Sequence, residues 1–461
     1  MTNSVNHQSG SLGTAEPGTD QLGTARLGTA LLTDRYELTM LQGSLRSGAA
    51  HRRAVFEVFA RHLPHGRRYG VVAGTGRLLD AIEGFRFSPA DLEFLGGAGI
   101  VDPPTLAFLE SYRFSGNVWG YSEGDCYFPG SPILVVEGTF AEAVLLETIT
   151  LSILNHDCAI ASAASRMVTA AGDRPLIEMG SRRTHEWAAV ASARAAYIAG
   201  FASTSNLRAR YEYGVPSAGT SAHAFTLVHD NERHAFETQL ESLGKATTLL
   251  VDTYDVARAV RTAIEVAGPE LGAVRIDSGD LPVLARQVRA ELDSLGATGT
   301  RIVLTGDLDE YSIAALGAVP VDGYGVGTSL VTGSGAPTAA LVYKLVARSG
   351  DADASGALVP VAKRSVGKPG RGGRKWAVRH GDTDGTALSE RVSLSPPDPG
   401  PRDRELLALL VSGGEIVGRE PVTAARERHR AALAELPPYA LQLSRGYPAI
   451  PTVFDPDGTD E

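Results

Sequence analysis

The stretch that decides the fold opens with Val274-Arg275-Ile276-Asp277-Ser278-Gly279-Asp280 and continues to Arg301-Ile302-Val303-Leu304-Thr305-Gly306-Asp307. In both segments a short apolar run gives way to polar residues and glycine, and a helical pattern follows, over 281–295 and 310–316 respectively. A third run, 321–326, leads into another glycine loop. Strands that alternate with helices in this way predict βαβ units and a parallel sheet, open or closed into a barrel.

The same alternation extends outward on both sides of this stretch. Leu176-Ile177-Glu178 predicts a strand that precedes an alanine-rich helix over 186–200. The other expected elements are a strand at 55–59, a β-rich module broken by glycines at 113–140, a long helix at 141–171, and helices at 402–410 and 424–436. Residues 1–29, in which Leu-Gly-Thr-Ala occurs three times, predict a disordered tail.

The composition restricts the class of protein and its partners. The formal charge is −10 and no long basic run offsets it, which argues against nucleic acid as the main partner. The only cysteines, Cys126 and Cys158, do not have a metal-binding spacing, and two thiols without a disulfide framework fit a reducing cytoplasm. No signal segment and no membrane-spanning apolar run is present. We therefore expect a cytoplasmic protein without a membrane partner.

Glycines that follow the predicted strands suggest a site for phosphate groups. Gly306 with Asp307, and Gly327 with Thr328, stand where backbone N–H groups can converge on an anion beside a helix N-terminus. A tight strand-to-helix turn explains the second loop about equally well.

Charged residues after the strand at 274–276 suggest a further binding role. Asp277 and Asp280 are suited to Mg²⁺ or to ribose hydroxyls, and Arg275 is suited to an anionic ligand. A solvated charged turn is the alternative interpretation of this segment.

Two other motifs are open to a functional and to a structural interpretation. Adjacent guanidiniums, as in Arg182-Arg183, tend to point to different sides, so at most one of the two easily enters a binding pocket. The structural interpretation is that both arginines lie on the surface. His223 lies among small residues that leave room around its ring, and histidine can form a phosphorylated intermediate. An isolated histidine is nevertheless more often structural.

Five segments together, in order and spacing, resemble the nicotinate phosphoribosyltransferase family between residues 31 and 376. They are Leu32-Thr33-Asp34-Arg35-Tyr36-Glu37-Leu38-Thr39-Met40, Glu178-Met179-Gly180-Ser181-Arg182-Arg183-Thr184-His185, Gly200-Phe201-Ala202-Ser203-Thr204-Ser205-Asn206, Ser217-Ala218-Gly219-Thr220-Ser221-Ala222-His223 and Arg275-Ile276-Asp277-Ser278-Gly279-Asp280. The resemblance implies an irregular α/β barrel domain with a second α+β domain formed by N-terminal and C-terminal segments. We expect the N-terminal α+β part at 30–140, the barrel at 141–345 and the completing C-terminal segment at 346–461.

The resemblance also implies an activity. The family couples nicotinate to phosphoribosyl pyrophosphate, giving nicotinate mononucleotide and pyrophosphate in the first step of NAD salvage from nicotinate, with ATP as co-substrate and Mg²⁺ as cofactor. By position, the implied residues are His223 as the phosphorylated histidine, Arg182 and Arg275 around the base and phosphates, Asp277 near the ribose, and Gly306, Asp307, Gly327 and Thr328 in the phosphate and ribose loops. Thr220 is expected to bind substrate, and Asp277 and Asp280 are the residues expected to hold Mg²⁺. His223, Arg275 and Asp277 are the implied catalytic residues. Tyr36 resembles the aromatic residue that stacks on the pyridine from a partner subunit, which implies a homodimer with a shared active site.

Ser205 favours nicotinate over nicotinamide as the base. Relatives that use nicotinamide resemble this chain here but carry an aspartate, which is suited to accept a hydrogen bond from the amide of the base. A serine at this position removes the negative charge that would repel the carboxylate of nicotinate, and its hydroxyl can donate a hydrogen bond to that carboxylate. Met179 stands where many relatives place Phe, and its sulfur can still pack against a ring. The segment from Lys363 to Trp376 resembles a basic loop near the ATP and phosphate site, although its composition equally fits a surface loop.

Three alternatives remain at this point. The first is a nicotinamide or quinolinate phosphoribosyltransferase. The second is a catalytically silent relative that senses NAD precursors, against which the joint presence of Arg275, Asp277 and His223 argues. The third is an unrelated phosphate-binding barrel such as an isomerase, which explains the glycine loops but not the segments around Tyr36 and Ser205.

Overall fold

The computed structural model describes residues 28–350, 356–363 and 370–455, so the predicted tail lies almost entirely outside the described residues. The strands are β1 (Arg53–Ala60), β2 (Gly70–Val71), β3 (Asn117–Tyr121), β4 (Cys126–Tyr127), β5 (Leu134–Thr139), β6 (Leu176–Glu178), β7 (Ser203–Thr204), β8 (Thr248–Leu250), β9 (Ala273–Ile276), β10 (Arg301–Leu304), β11 (Gly323–Val326), β12 (Leu341–Ser349), β13 (Leu358–Pro360), β14 (Trp376–Gly381), β15 (Ala387–Ser393), β16 (Asp403–Glu405), β17 (Leu407–Ser412), β18 (Glu415–Ile416) and β19 (Thr452–Phe454).

The helices are α1 (Arg35–Ser47), α2 (Thr75–Glu83), α3 (Pro89–Gly97), α4 (Pro103–Glu110), α5 (Phe140–Val144), α6 (Glu147–Ala171), α7 (Glu186–Ile198), α8 (Leu207–Tyr213), α9 (His223–Val228), α10 (Glu232–Leu243), α11 (Val256–Ala267), α12 (Leu281–Ser294), α13 (Glu310–Ala315), α14 (Thr328–Val331) and α15 (Val422–Ala434). Short 3₁₀ turns lie at Ala49–His51, Pro64–Gly66, Leu316–Ala318 and Pro438–Leu441. In the described ranges, no helix combines the length and apolarity needed to cross a membrane.

A parallel sheet of six strands forms the framework of one half of the molecule. Its order is β7-β6-β11-β10-β9-β8, and every pairing within it is parallel. Most residues of these strands are buried, and α12 packs on β9 and β10. Within the described residues the edge strands β7 and β8 do not pair with each other, so the sheet is an open half-barrel.

An antiparallel sheet organises the other half. Seven strands lie in the order β13-β12-β1-β5-β3-β17-β18, and the early strand β1 pairs with β12, Val58 opposite Tyr343. Segments from both ends of the sequence therefore complete one sheet. The expected fold class, an α/β barrel-like domain beside an α+β domain built from N-terminal and C-terminal segments, is confirmed. A four-stranded sheet, β16-β14-β15-β19, and the pair β2-β4 complete the strand pairing.

The long helix α6 contributes to both apolar cores. Its first half supplies Ile149 and Ile153 to the core beneath the antiparallel sheet, and its second half supplies Ile160 and Met167 to the core of the parallel sheet. The C-terminal helix α15 also packs on the parallel half, through Ala432. The domain limits expected from the sequence stay a prediction.

One secondary-structure prediction is wrong. The segment at 402–410 was expected to be helical but forms β16 and most of β17. β17 pairs with β3, Leu407 opposite Tyr121, and β16 pairs with β14. Because the partner β3 lies far away in the sequence, local helix propensity cannot show this pairing, and the packing overrides it.

Candidate active site

The carboxyl ends of the parallel strands carry most of the residues expected to bind substrate. Because parallel strands end at one edge of a sheet, residues just after them lie side by side, and ligands bind at this edge in α/β folds. In the order of the sheet they are Ser205 after β7, Met179 after β6, Gly327 and Thr328 after β11, Gly306 and Asp307 after β10, and Asp277 after β9.

A hydrogen-bonded group around Asp277 joins three segments of the sequence. The Thr305 hydroxyl donates to Oδ1 of Asp277, and Nη2 of Arg275 lies 4.0 Å from the same oxygen. Arg275 also donates to the Thr220 hydroxyl. Burial lowers the pKa of Arg275, and the carboxylates of Asp277 and Asp252 oppose that shift. The group offers a guanidinium for phosphate oxygens beside a carboxylate that can accept from hydroxyls.

Both glycine loops approach neighbouring backbone closely, and at Gly306 the approach is too close for a side chain. Gly306 has a φ of 109°, and a Cβ on it would overlap the carbonyl oxygen of Asp277. Asp307, the next residue, also has a positive φ, 48°. A Cβ on Gly327 would lie 3.3 Å from the carbonyl oxygen of Met179. Backbone of this kind exposes N–H groups, which is what a phosphate-binding loop requires.

His223 begins α9 and faces a carboxylate that the sequence analysis did not single out. Its Nε2 lies 3.9 Å from Oδ1 of Asp252, and its Nδ1 lies 3.2 Å from the Thr253 hydroxyl. The Asp252 side chain is 2% exposed, and its Oδ1 has no hydrogen-bond partner among the described residues, whereas the His223 side chain is 39% exposed. The imidazole is therefore partly exposed, with one ring nitrogen at a hydroxyl and the other facing a buried acid, and a histidine ring can accept a phosphoryl group.

Met179 and Ser205 stand at adjacent strand ends. Glu178 and Thr204, the residues just before them, are paired between β6 and β7, and the Ser205 N–H donates to the Glu178 carbonyl at 2.8 Å. The Met179 side chain lies over Gly325, where a Cβ would come within 2.7 Å of its sulfur. The two residues can therefore line one pocket, with the thioether as its apolar surface.

Three other residues predicted to belong to the site differ from those above in position, exposure or hydrogen bonding. Tyr36 is on α1, in the antiparallel half, where it is 45% exposed beside Glu147. Arg182 is exposed, although it is near enough to Arg275 for their charges to interact. Asp280 is the N-cap of α12 and accepts from the Val283 N–H at 3.2 Å, so one of its oxygens already has a structural partner.

Three polar residues of this region are not among the site residues predicted from the sequence. Asp252 follows β8 and Thr305 follows β10, the same strand-end position that marked Asp277, so this signal was present in the sequence. Glu178 lies inside the predicted strand 176–178 and is fully buried. A carboxylate within an apolar strand is rare enough to mark a position for attention.

Two basic residues expected near the phosphate site have partners in the antiparallel half. Lys375 pairs with Glu57 at 2.8 Å, and both side chains are buried. Arg374 pairs with Glu137 at 2.8 Å, and its guanidinium carbon lies 3.4 Å from the centre of the Trp376 ring. Residues 364–369 of the same segment lie outside the described residues.

Comparison with known proteins gives a consistent result. Residues 31–155 match the model of the nicotinate phosphoribosyltransferase N-terminal domain. A nicotinate phosphoribosyltransferase of Mycobacterium tuberculosis is 59% identical over 432 residues, 92% of this chain and 94% of the relative, and that of Bos taurus is 30% identical over 82% and 81%. The crystal structure of human nicotinic acid phosphoribosyltransferase superposes with a TM-score of 0.78 at 26% identity, covering 92% of this chain and 98% of the human one. This chain belongs to the nicotinate phosphoribosyltransferase family.

Proposed function

We propose that this chain transfers phosphoribose from phosphoribosyl pyrophosphate to nicotinate, forming nicotinate mononucleotide in the first step of NAD salvage from nicotinate, with ATP hydrolysis coupled to the transfer. The observation that carries the proposal is the single sheet edge shared by Arg275, Asp277 and the glycine loops, with Asp252 and His223 at its end. An isomerase barrel would need a phosphate loop, but it would not account for the segments around Tyr36 and Ser205.

The transfer step is dissociative in this proposal. The bond between the anomeric carbon and the pyrophosphate oxygen breaks, its electron pair leaves with pyrophosphate, and the ring nitrogen of nicotinate forms the new bond. Arg275 and the loop N–H groups at Gly306 stabilise the charge that develops on the leaving group, and Asp277 accepts from ribose hydroxyls. Thr305 and Thr220 orient these two side chains through the hydrogen bonds described above.

A magnesium site is proposed at Asp277 and Asp280. Among the described residues no group of three or more His, Cys, Asp or Glu could hold a metal ion. Two carboxylates fit Mg²⁺ all the same, because this ion keeps several waters and takes its remaining ligands from substrate phosphates. When bound, it would neutralise charge on the departing pyrophosphate.

ATP coupling is assigned to His223. A ring nitrogen takes the γ-phosphoryl group, ADP departs, and water later cleaves the phosphorus–nitrogen bond to release phosphate. The Asp252 carboxylate, 3.9 Å from the ring, can stabilise positive charge that develops on the imidazole while the phosphoryl group is transferred. The exposed part of the His223 side chain gives ATP access.

A homodimer with a shared site is proposed as the functional form. Leu31, Leu32, Tyr36 and Met40 form an exposed apolar group around α1. A second group of exposed side chains, Trp187, Leu207 and Tyr211, lies on the helices that follow β6 and β7, close in sequence to Met179 and Ser205. Contact between the first group of one subunit and the second group of its partner would bring Tyr36 to the base pocket and cover both surfaces.

The cytoplasmic location stays a prediction. Cys126 and Cys158 are buried and free, as a reducing compartment would keep them.

The experiment is an assay of nicotinate mononucleotide by mass spectrometry, from phosphoribosyl pyrophosphate and nicotinate, with and without ATP. Nicotinamide and quinolinate serve as competing bases. We expect product mainly from nicotinate and faster turnover with ATP, and we expect His223→Ala to lose the ATP stimulation. Product from none of the three bases would reject the proposal, and undiminished ATP stimulation in His223→Ala would reject the role of the histidine.

A further inference from the structure

Glu178 is a buried acid that contacts both strands beneath the proposed base pocket. Its side chain has no exposed surface. Oε1 accepts from the Gly180 N–H, Oε2 accepts from the Thr204 hydroxyl, and the backbone carbonyl accepts from the Ser205 N–H at 2.8 Å. One residue thus fixes the backbone after Met179 and the backbone before Ser205.

The hydrogen-bond network continues from Thr204 towards the pocket entrance. The Thr204 hydroxyl oxygen accepts from the Asn206 N–H at 2.9 Å, and the Asn206 side-chain amide donates to the Ser181 hydroxyl at 3.0 Å. This second contact again joins the segment after β7 to the segment after β6. Two sets of hydrogen bonds therefore connect the two segments, one through Glu178 and one through Asn206, and Glu178 is the more buried of these two residues.

The Glu178 carboxylate differs in its partners from two other buried acids of the protein. In the parts of the chain that the structure describes, no lysine, arginine or histidine forms an ion pair with Glu178, in contrast to the buried acids Glu57 and Glu390, which pair with Lys375 and Arg379. Burial accordingly raises the pKa of Glu178, and the hydrogen bonds from Thr204 and Gly180 oppose the shift. An unpaired buried acid is unfavourable for stability alone, which makes a functional reason for its presence the better explanation.

We propose that Glu178 is a positioning residue that sets the separation between Met179 and Ser205 and thereby the affinity for the pyridine base. The proposal rests on the proposed function, because it assigns these two residues to the base pocket. Glu178 itself does not touch the substrate. It acts by holding Gly180 and Thr204, whose neighbours line the pocket.

The test compares Glu178→Gln and Thr204→Val with Thr204→Ser, in the full-length enzyme. Gln keeps the shape but replaces one acceptor by a donor, Val removes the hydroxyl, and Ser keeps it. Thr300→Val is the matched control, because the buried Thr300 hydroxyl has no hydrogen-bond partner among the described residues. The readouts are KM for nicotinate, KM for phosphoribosyl pyrophosphate, kcat and the melting temperature.

We expect Glu178→Gln and Thr204→Val each to raise KM for nicotinate about tenfold or more, with little change in KM for phosphoribosyl pyrophosphate. Thr204→Ser and Thr300→Val should leave both constants near those of the wild type. Because the two side chains act as one unit, the double variant Glu178→Gln/Thr204→Val should be little worse than either single variant.

An unchanged nicotinate KM in Glu178→Gln, or an equal rise in both KM values, would overturn the positioning role. If Glu178→Gln fails to fold, the Thr204→Val and Thr204→Ser pair decides in the same way. Failure of the proposed function is distinguishable, because then the wild type itself forms no nicotinate mononucleotide in the same assay.

Discussion

His223 faces Asp252 across 3.9 Å, from Nε2 to Oδ1, while the other oxygen of the same carboxylate accepts from the Asp277 N–H at 2.8 Å and from the Ser278 hydroxyl at 2.7 Å. One buried side chain therefore borders both the histidine assigned to ATP and the loop assigned to the ribose. Any change of charge on His223 is felt by Asp252, and Asp252 fixes the backbone of the loop. This arrangement provides a physical route by which ATP coupling can influence the transfer site.

The first prediction concerns this carboxylate. Asp252→Asn keeps an oxygen for the Asp277 N–H but removes the negative charge that stabilises positive charge developing on the His223 ring during phosphoryl transfer. We expect ATP-stimulated turnover to fall about tenfold to a hundredfold, with a smaller effect on turnover without ATP, measured from nicotinate mononucleotide formation. Asp322→Asn is the control, since Asp322 accepts from the Ile302 N–H at 2.7 Å before β11, away from the site edge. An equal loss with and without ATP would contradict the assigned role.

Much of the site edge was predictable because three strands share a local pattern. After β9, β10 and β11, an apolar run ends in glycine or a small carboxylate residue, and the pattern alone predicts a parallel sheet with polar residues at its edge. Asp252 follows β8 without a neighbouring glycine, which is why the same position was missed there.

The remaining features depend on contacts between distant segments. The 402–410 segment has a helix-like composition, and its pairing with β14 and with β3, the latter almost three hundred residues earlier, makes it extended. Arg374 and Lys375 look like phosphate ligands in the sequence, whereas Glu137 and Glu57 come from strands that no local pattern connects to them. Long-range pairing of this kind is not encoded in neighbouring residues.

The second prediction concerns the guanidinium of Arg275. Its side chain is 12% exposed, contacts Thr220 and lies near Asp277. In Arg275→Lys a point charge replaces the planar fork, so the variant cannot keep the Thr220 contact and bind a phosphate oxygen at once. We expect KM for phosphoribosyl pyrophosphate to rise about tenfold, measured by initial rates. Arg301→Lys, at the exposed start of β10, should behave as the wild type; a matching loss there would indicate a general effect on the fold.

The third prediction tests the shared site. Tyr36→Ala and His223→Ala should each be nearly inactive at low nicotinate with ATP, because each removes one part of every site. In a mixed dimer of the two variants, one of the two sites holds intact His223 and receives intact Tyr36 from the partner subunit. We expect co-expressed variants to regain about a quarter of the wild-type activity. Tyr36→Phe keeps the ring and should remain active. The absence of any regain in purified mixed dimers would mean that each subunit uses its own Tyr36.

The fourth prediction concerns the pH dependence of stability. Burial raises the pKa of Glu37 to about 7, although Thr148 and Thr33 donate hydrogen bonds to it. The unfolded chain has an ordinary glutamate pKa of about 4.3. Between these values the folded protein holds more protons, so this group lowers stability as the pH rises through the window, and its effect is constant above it.

Glu37→Gln should therefore remove a decline in melting temperature that the wild type shows between pH of about 5 and about 8. The measurement is the difference between the two melting curves at each pH, which cancels the other titrating groups. We expect the wild type to lose a few degrees relative to the variant across the window. A difference that stays constant with pH would contradict the raised pKa of Glu37.

The last prediction concerns base selection at Ser205. This residue is exposed at the end of β7, and its N–H donates to the Glu178 carbonyl at 2.8 Å. Because this hydrogen bond holds the backbone, we expect a substitution of the side chain to leave the backbone position unchanged. Ser205→Asp introduces a carboxylate that repels the carboxylate of nicotinate and accepts from the amide of nicotinamide. Two like charges about 4 Å apart repel by about 1–4 kcal/mol at dielectric constants between those of water and a protein surface, which corresponds to a rise in KM for nicotinate of about fivefold to nearly a thousandfold.

Ser205→Asn separates charge from size, because it has nearly the same shape as the aspartate variant without its charge. If charge selects the base, Ser205→Asp raises KM for nicotinate far more than Ser205→Asn does, and only Ser205→Asp increases turnover of nicotinamide. Initial rates with both bases, at saturating phosphoribosyl pyrophosphate and ATP, measure this directly. Equal effects of the two variants on nicotinate would show that Ser205 acts through its size, and the preference for the acid would then have to come from Arg182 or another hydrogen-bond donor near the pocket, since the two bases have nearly equal shape but differ in charge and in hydrogen bonding.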